Sequence, residues 1–142
     1  MAKMVIMRGL SGSGKSTLAG QLVKDASDSG MRAVICSADD YFIRQGGYKF
    51  DPRLLPEAHA WCRGKAVGAI MAGADFVIID NTNLCLWEFR PYVEMAEEYG
   101  IECERVVVGE FDDTAVETYA ARNQHSVPVN KIKAMAAKFQ KE

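Results

Sequence analysis

The chain reads as an α/β protein, a small parallel sheet flanked by helices, and three observations carry that reading. Short apolar segments alternate with helical patterns along its 142 residues, the arrangement expected of parallel strands joined by crossover helices. The run Gly9-Leu-Ser-Gly-Ser-Gly-Lys15-Ser16-Thr17 fits G-x-x-x-x-G-K-[ST] and sits between the first apolar segment and the first helical one. Gly30, Gly73 and Gly100 each follow a helical stretch, where a left-handed residue would end it.

Taken in order, strands are expected near 4–8, 33–36, 75–80 and 103–108, and helices near 15–28, 54–72, 87–99, 113–123 and 129–140. Met4-Val-Ile-Met7 forms the first strand, and Leu18, Leu22 and Val23 continue at helical spacing after the glycine-rich loop. A short helix is expected from Tyr41, with Asp39 and Asp40 at its cap. Asp51-Pro52 supplies a cap and a first-turn proline for the next helix, in which Leu55, Cys62, Ala66 and Ile70 make a core stripe. Ile132, Met135, Ala136 and Phe139 make another, with Lys131, Lys133 and Lys138 outward.

The length suits a single domain over 1–142, and 49% apolar residues allow one buried core. A net charge of −2 argues against a surface coated for nucleic acid but leaves room for a local groove. Residues 1–65 carry ten Lys/Arg against six Asp/Glu, whereas 66–142 carry seven against thirteen, so the positive excess accompanies the loop that would bind anions. Cys36, Cys62, Cys85 and Cys103 are scattered without metal-ligand spacing, so zinc is not expected and reduced thiols are. With no leader-like segment and no apolar run of membrane length, the expectation is a cytoplasmic protein that engages no membrane and has no obligate protein partner.

The loop residues have separable tasks. Backbone N–H groups of Gly12, Ser13 and Gly14 can converge on phosphates only if bulky side chains are missing at Gly9, Gly12 and Gly14. Lys15 reaches the β- and γ-phosphates, Ser16 offers a hydroxyl to Mg²⁺, Thr17 completes the motif, and the following helix points its positive end at the same anions. Asp75-Phe-Val-Ile-Ile-Asp80 is an apolar run ending in an acid, a Walker B arrangement in which Asp80 joins Ser16 at the metal; an acid there could also merely cap a turn. Asp39-Asp40 could supply the carboxylate that accepts a proton from an attacking hydroxyl, or could simply cap a helix. Arg122 precedes a short loop closed by Pro128, which fits a lid over about 122–128 whose arginine offsets charge on a transferring phosphoryl group, or an ordinary cation at a helix C-terminus. His59 is expected to pack rather than react, and His125 lies in the lid.

Together GLSGSGKST, SADDYF, YKFDPRLLPEAHAWC, IIDNTN and AARNQHSVP resemble the P-loop kinase domain of phage-type polynucleotide 5'-hydroxyl kinases and their small ATP-binding relatives, over roughly 4–139. The resemblance implies a P-loop NTPase/kinase fold with strand order about 2-3-1-4 and a short lid. It implies that Lys15 and Ser16 bind ATP phosphates and Mg²⁺, that Asp39 is the general base, and that Arg122 contacts the donor phosphates with Val127 and Pro128 near adenine. Thr82 would touch the acceptor's phosphate, with Asp40, Arg44, Asn81 and Asn83 on the same substrate side. The chain departs from the pattern at Phe42, where the phage enzymes carry an acceptor-binding arginine, and in its lid, where Gln124 and His125 stand in place of a second arginine. No D-x-D-G-T phosphatase motif occurs. The expected activity is ATP- and Mg²⁺-dependent phosphorylation of a hydroxyl of a nucleic acid or nucleotide, above all a polynucleotide 5'-hydroxyl or else a hydroxyl on a modified DNA base. The alternatives are a small-molecule kinase of the gluconate or antibiotic type, or a nucleotide-dependent binding module with slow hydrolysis.

Overall fold

A computed structural model describes residues 2–44, 47–123 and 127–142, with the side chain of Arg44 outside the description. Four strands form one parallel sheet: β1 (Lys3–Arg8), β2 (Ala33–Cys36), β5 (Phe76–Asp80) and β6 (Glu102–Val107), in the spatial order β2-β5-β1-β6. That is the expected order 2-3-1-4, counting only the strands of this sheet. The five longer expected helices are present as α1 (Lys15–Asp28), α2 (Leu55–Met71), α3 (Leu86–Tyr99), α4 (Asp113–Arg122) and α5 (Val129–Lys138). Among the described residues no helix is long and apolar enough to cross a membrane.

One segment departs from the sequence reading. No helix starts at Tyr41; residues Ala38–Phe42 make a 3-10 turn that runs into a two-stranded antiparallel hairpin, β3 (Ile43–Arg44) and β4 (Gly47–Tyr48). Phe42 explains the difference: it is fully buried against Tyr48 and Phe50, and that burial draws the chain into a hairpin instead of onward along a helix. Similarly, Asp51 accepts from the backbone N–H of Arg53 and caps a 3-10 turn, Pro52–Leu54, so α2 begins only at Leu55.

Alternation along the central strands divides the core. Met4, Ile6, Val77 and Ile79 face Ala58, Cys62 and Ala66 of α2 and Phe89 and Tyr92 of α3, whereas Val5, Met7 and Ile78 face Ala19, Leu18 and Leu22 of α1. Strands buried on both faces read as continuous apolar runs, which is why β1 and β5 were so legible. A third cluster lies beyond the sheet, where Leu10 and Leu84 meet Val116 and Tyr119 of α4 and Ile132 of α5. All four cysteines are free thiols.

Arg8, the last residue of β1, is 1% exposed and ties three segments together. Its guanidinium donates to the carbonyls of Asn83 (2.7 Å), Leu84 (2.8 Å) and Gln140 (2.6 Å), and lies 4.6 Å from the ring centres of both Phe89 and Phe139. Burial lowers its pKa from the ordinary value, but a guanidinium stays charged and its rigid fork suits this geometry. Gln140 adds an N–H to the Leu84 carbonyl and a side-chain oxygen to the Leu86 N–H, which draws the chain out of α5 two residues before the expected end. Arg8→Ala takes the partner from the buried Asn83 carbonyl and opens a void between two rings, so urea unfolding should show a loss of about 3 kcal/mol; a loss below ~1 kcal/mol would mean that the clamp contributes little.

Candidate functional site: a phosphate loop facing an acidic turn

Because β1 and β5 pair in parallel with Met7 opposite Asp80, the loop leaving β1 and the loop leaving β5 emerge side by side. Ser16, in the first turn of α1, donates its hydroxyl to Asp80 Oδ2 at 2.9 Å. Gly14 takes φ 103° at the start of α1, and no side chain caps that helix end, so its first-turn N–H groups face the cleft as an anion site.

Two of the motif glycines are required for a reason other than phosphate approach. A Cβ on Gly9 would come within 2.6 Å of the Val108 carbonyl, and one on Gly12, where φ is +81°, would strike the Tyr119 carbonyl of α4. The loop is thus packed from behind by protein, and glycine lets β6 and α4 reach it. Arg122, one turn beyond Tyr119, donates Nε to the Gly12 carbonyl at 2.8 Å and lies over the Tyr119 ring, so the arginine expected of a lid is anchored to the phosphate loop itself.

The cleft has a volume of about 650 Å³. Its lining takes in Gly12, Gly14, Lys15, Ser16 and Thr17 of the phosphate loop and α1, Arg122 of α4 and Val127, together with Ser37 and Asp39 after β2 and Asp80, Asn81 and Thr82 at the end of β5. Lys15 is 8% exposed and donates Nζ to the Leu10 carbonyl at 2.8 Å. Burial lowers its pKa, opposed by the charges of Asp80 and Asp39. Asp80, also 8% exposed, is shifted the other way: burial raises its pKa, opposed by the Ser16 hydrogen bond and by Lys15. Two half-compensated opposite charges therefore sit ready for a ligand carrying more charge of both signs.

Asp39 stands on the 3-10 turn after β2, where Ser37 accepts from the Asp39 N–H at 3.3 Å and Asn81 Oδ1 accepts from the Ala38 N–H at 2.8 Å. Asn81 also donates to Cys62 Sγ at 3.6 Å, so this residue, read from sequence as substrate-binding, braces the acidic turn against α2 while lining the cleft. Thr82 accepts the Gly9 N–H through its carbonyl at 3.0 Å, which locks the two loops together.

Several expected residues are placed elsewhere. Asn83 is 2% exposed at φ 47°, its amide donating to the Met7 carbonyl at 2.7 Å; it shapes the loop and does not face substrate. Ser13 is buried behind the loop with its hydroxyl unpaired among the described residues. Asp40 and Pro128 do not line the cleft among the described residues; the second is the residue that precedes α5. Phe42, the departure from the family pattern, is a core residue with no access to an acceptor. The Arg44 side chain, Gln124 and His125 lie outside the described residues. His59 is half-buried and its pKa lowered by burial, in keeping with packing. Sequence reasoning missed Asn123, which donates to and accepts from the backbone of Val127 at 3.1 and 2.8 Å, holding the two ends of the expected lid together; an asparagine after a helical arginine and before Val-Pro was the available signal.

Strand order, the glycine-rich loop leaving β1 and the acid that ends β5 define a P-loop kinase-like fold. The chain belongs to the family described as AAA domain, which matches residues 4–141. It is 40% identical over 141 residues to human NEDD4-binding protein 2, an alignment covering 97% of this chain and 8% of that protein's length. By structure it resembles a chain of the Pnkp1/Rnl/Hen1 RNA repair complex, with TM-score 0.67 and 16% identity over 96% of this chain and 43% of that one. It also resembles Mycobacterium tuberculosis APS kinase in complex with AMPPNP and APS, with TM-score 0.57 and 19% identity over 75% of this chain and 61% of that one.

The site fits ATP, and the Ser16 hydroxyl beside the Asp80 carboxylate fits Mg²⁺, which takes one or two protein oxygens and completes its shell with phosphates and water. A metal ion competes with protons for Asp80, so the logarithm of Mg²⁺-dependent nucleotide affinity should break at the carboxyl's own pKa. Because that pKa is raised, affinity is full above it and falls as pH drops through a value higher than 3.8. Titration calorimetry at stepped pH, with circular dichroism to verify folding, should place the break there; a break at or below 3.8 would contradict the assignment.

Proposed function

We propose that this chain transfers the γ-phosphoryl group of ATP, with Mg²⁺, to a hydroxyl of a nucleic acid or nucleotide, the 5'-hydroxyl end of a polynucleotide above all. The observation that carries the proposal is the placement of Asp39: it stands on a turn whose backbone N–H groups are held by Ser37 and Asn81, and it lines the same cleft as Lys15 and Ser16. A module that only bound and slowly hydrolysed nucleotide would have no use for a second acid braced at that position. Support for a polynucleotide acceptor comes from the run of motifs SADDYF, IIDNTN and AARNQHSVP and from the fold's likeness to a chain of an RNA repair complex.

In the reaction, the acceptor oxygen forms a bond to the γ-phosphorus as the β–γ bridging bond breaks, and ADP leaves. The acceptor proton passes to a carboxylate oxygen of Asp39. Lys15 stabilises charge on the donor phosphates, and Arg122, held on the Gly12 carbonyl at the edge of the loop, adds a second cation from the donor side. Ser16 and Asp80 would hold Mg²⁺, which would supply neutralisation of charge on the phosphates. Ser37 and Thr82 are polar groups on the acceptor wall that can orient the incoming group.

The test is phosphate transfer from radiolabelled ATP to 5'-hydroxyl oligonucleotides of DNA and RNA, alongside nucleosides, gluconate and other sugars. Oligonucleotides should be labelled preferentially. Asp39→Asn should lower kcat by about 10²–10⁴-fold while ATP affinity stays within about twofold, because the carboxylate meets the acceptor and not the donor. Preferential labelling of a sugar would overturn the acceptor class, and undiminished turnover by Asp39→Asn would overturn the base.

A further inference from the structure

The acceptor wall continues beyond the cleft as a connected group of aromatic rings that the reaction itself does not use. Tyr41, two residues past Asp39, meets Trp61 of α2 at 6.0 Å between ring centres and Phe42 at 5.6 Å. Phe42 meets Phe50 at 5.1 Å, and Phe50 lies nearly parallel to Tyr48, 6.3 Å away and 8° between planes. Phe42 is fully buried, as a core ring should be, but Trp61 remains 40% exposed and Phe50 42%. These two large rings at the surface are attached to a rigid base: Phe42 fixes the hairpin, and the Tyr41 hydroxyl donates to Glu57 of α2 at 3.3 Å.

Each exposed ring has an ammonium group beside it. Lys65 Nζ is 5.7 Å from the centre of the Trp61 ring, and Lys131 Nζ, from α5, is 6.0 Å from that of Phe50. The wider segment 41–65 carries Arg44, Lys49, Arg53, Arg63 and Lys65 against Asp51 and Glu57, a net positive stretch in a chain of net charge −2. The group also adjoins the chemistry: the Tyr48 phenol is pushed up to about 12, first by burial and then by the charge of Asp39. Exposed flat rings flanked by flexible cations are the elements that hold single-stranded nucleic acid, the rings taking bases and the cations phosphates.

We propose that Trp61 and Phe50, with Lys65 and Lys131, form a stacking platform for the unpaired nucleotides that follow the phosphorylated end, so that the preferred acceptor is a single strand several nucleotides long. This rests on the nucleic-acid reading above and sharpens it. A duplex end offers the rings few free base faces, and a mononucleotide leaves most of the platform uncovered.

The experiment uses 5'-hydroxyl oligo(dT) and oligo(rU) of one to eight nucleotides, a blunt duplex, and labelled ATP, with binding followed separately by Trp61 fluorescence in a Trp87→Phe background. KM should fall roughly tenfold or more between one and four nucleotides, since stacking of one base accounts for about that factor, and the duplex should be a poorer acceptor. Trp61→Ala should abolish the dependence on length while kcat for the shortest acceptor stays unchanged, and Trp61→Phe should restore most of it. Lys65→Ala should make the salt dependence of oligonucleotide binding shallower by about one counterion. Transfer to oligonucleotides with a KM indifferent to length and to Trp61→Ala would overturn the platform and leave the kinase standing. Fluorescence quenching by oligonucleotides without transfer to any hydroxyl would do the reverse.

Discussion

Parallel pairing of β1 with β5, with Met7 opposite Asp80, is the constraint on which the site depends. The pairing carries the ends of two strands, separated by more than sixty residues of sequence, to one edge of the sheet, so that the Ser16 hydroxyl reaches the Asp80 carboxylate and the Gly9 N–H reaches the Thr82 carbonyl. A slip of one residue would turn Asp80 toward the opposite face and bury an unpaired acid. Apolar burial on both faces of these strands enforces the register. The same packing that stabilises the sheet thereby sets the distance between the phosphate loop and Asp80.

Around this edge the protein keeps charge out of water. Lys15 and Asp80 are both nearly buried, each pKa displaced by desolvation and partly restored by the other. Buried pairs of this kind add little to stability by themselves, and their presence at a cleft is better explained by what they hold. Arg8, a few residues upstream, is a different use of a buried cation: three carbonyls and two aromatic rings surround it, and its role is to fix the loop after β5 and the C-terminal tail. The first pair is arranged for a ligand, the second for the fold.

The two walls of the cleft are built differently. The donor wall is backbone-dense, and Gly9 and Gly12 allow β6 and α4 to press against the loop from behind. The wall that carries Asp39 is a 3-10 turn and hairpin pinned by Phe42 and braced by Asn81. Its outer face carries Trp61, Phe50 and lysines.

Local signals in the sequence determined the sheet, its helices, the phosphate loop and the acid at the end of β5, because each depends on periodicity or on a few adjacent residues whose backbone needs are specific. The family resemblance supplied the strand order. Tertiary structure alone decided the rest. Asn83 looks like a site residue in N-T-N, yet a left-handed backbone and the Met7 carbonyl turn it inward. Phe42 looks like an altered substrate contact, yet its burial against Phe50 makes it the anchor of a hairpin. Arg8 gave no local signal at all, since its partners lie 75 and 132 residues away. Hydrogen bonds and ring contacts between segments distant in sequence leave no periodic trace, and only the folded chain, by bringing those segments together, assigns such residues to the core, the clamp or the cleft.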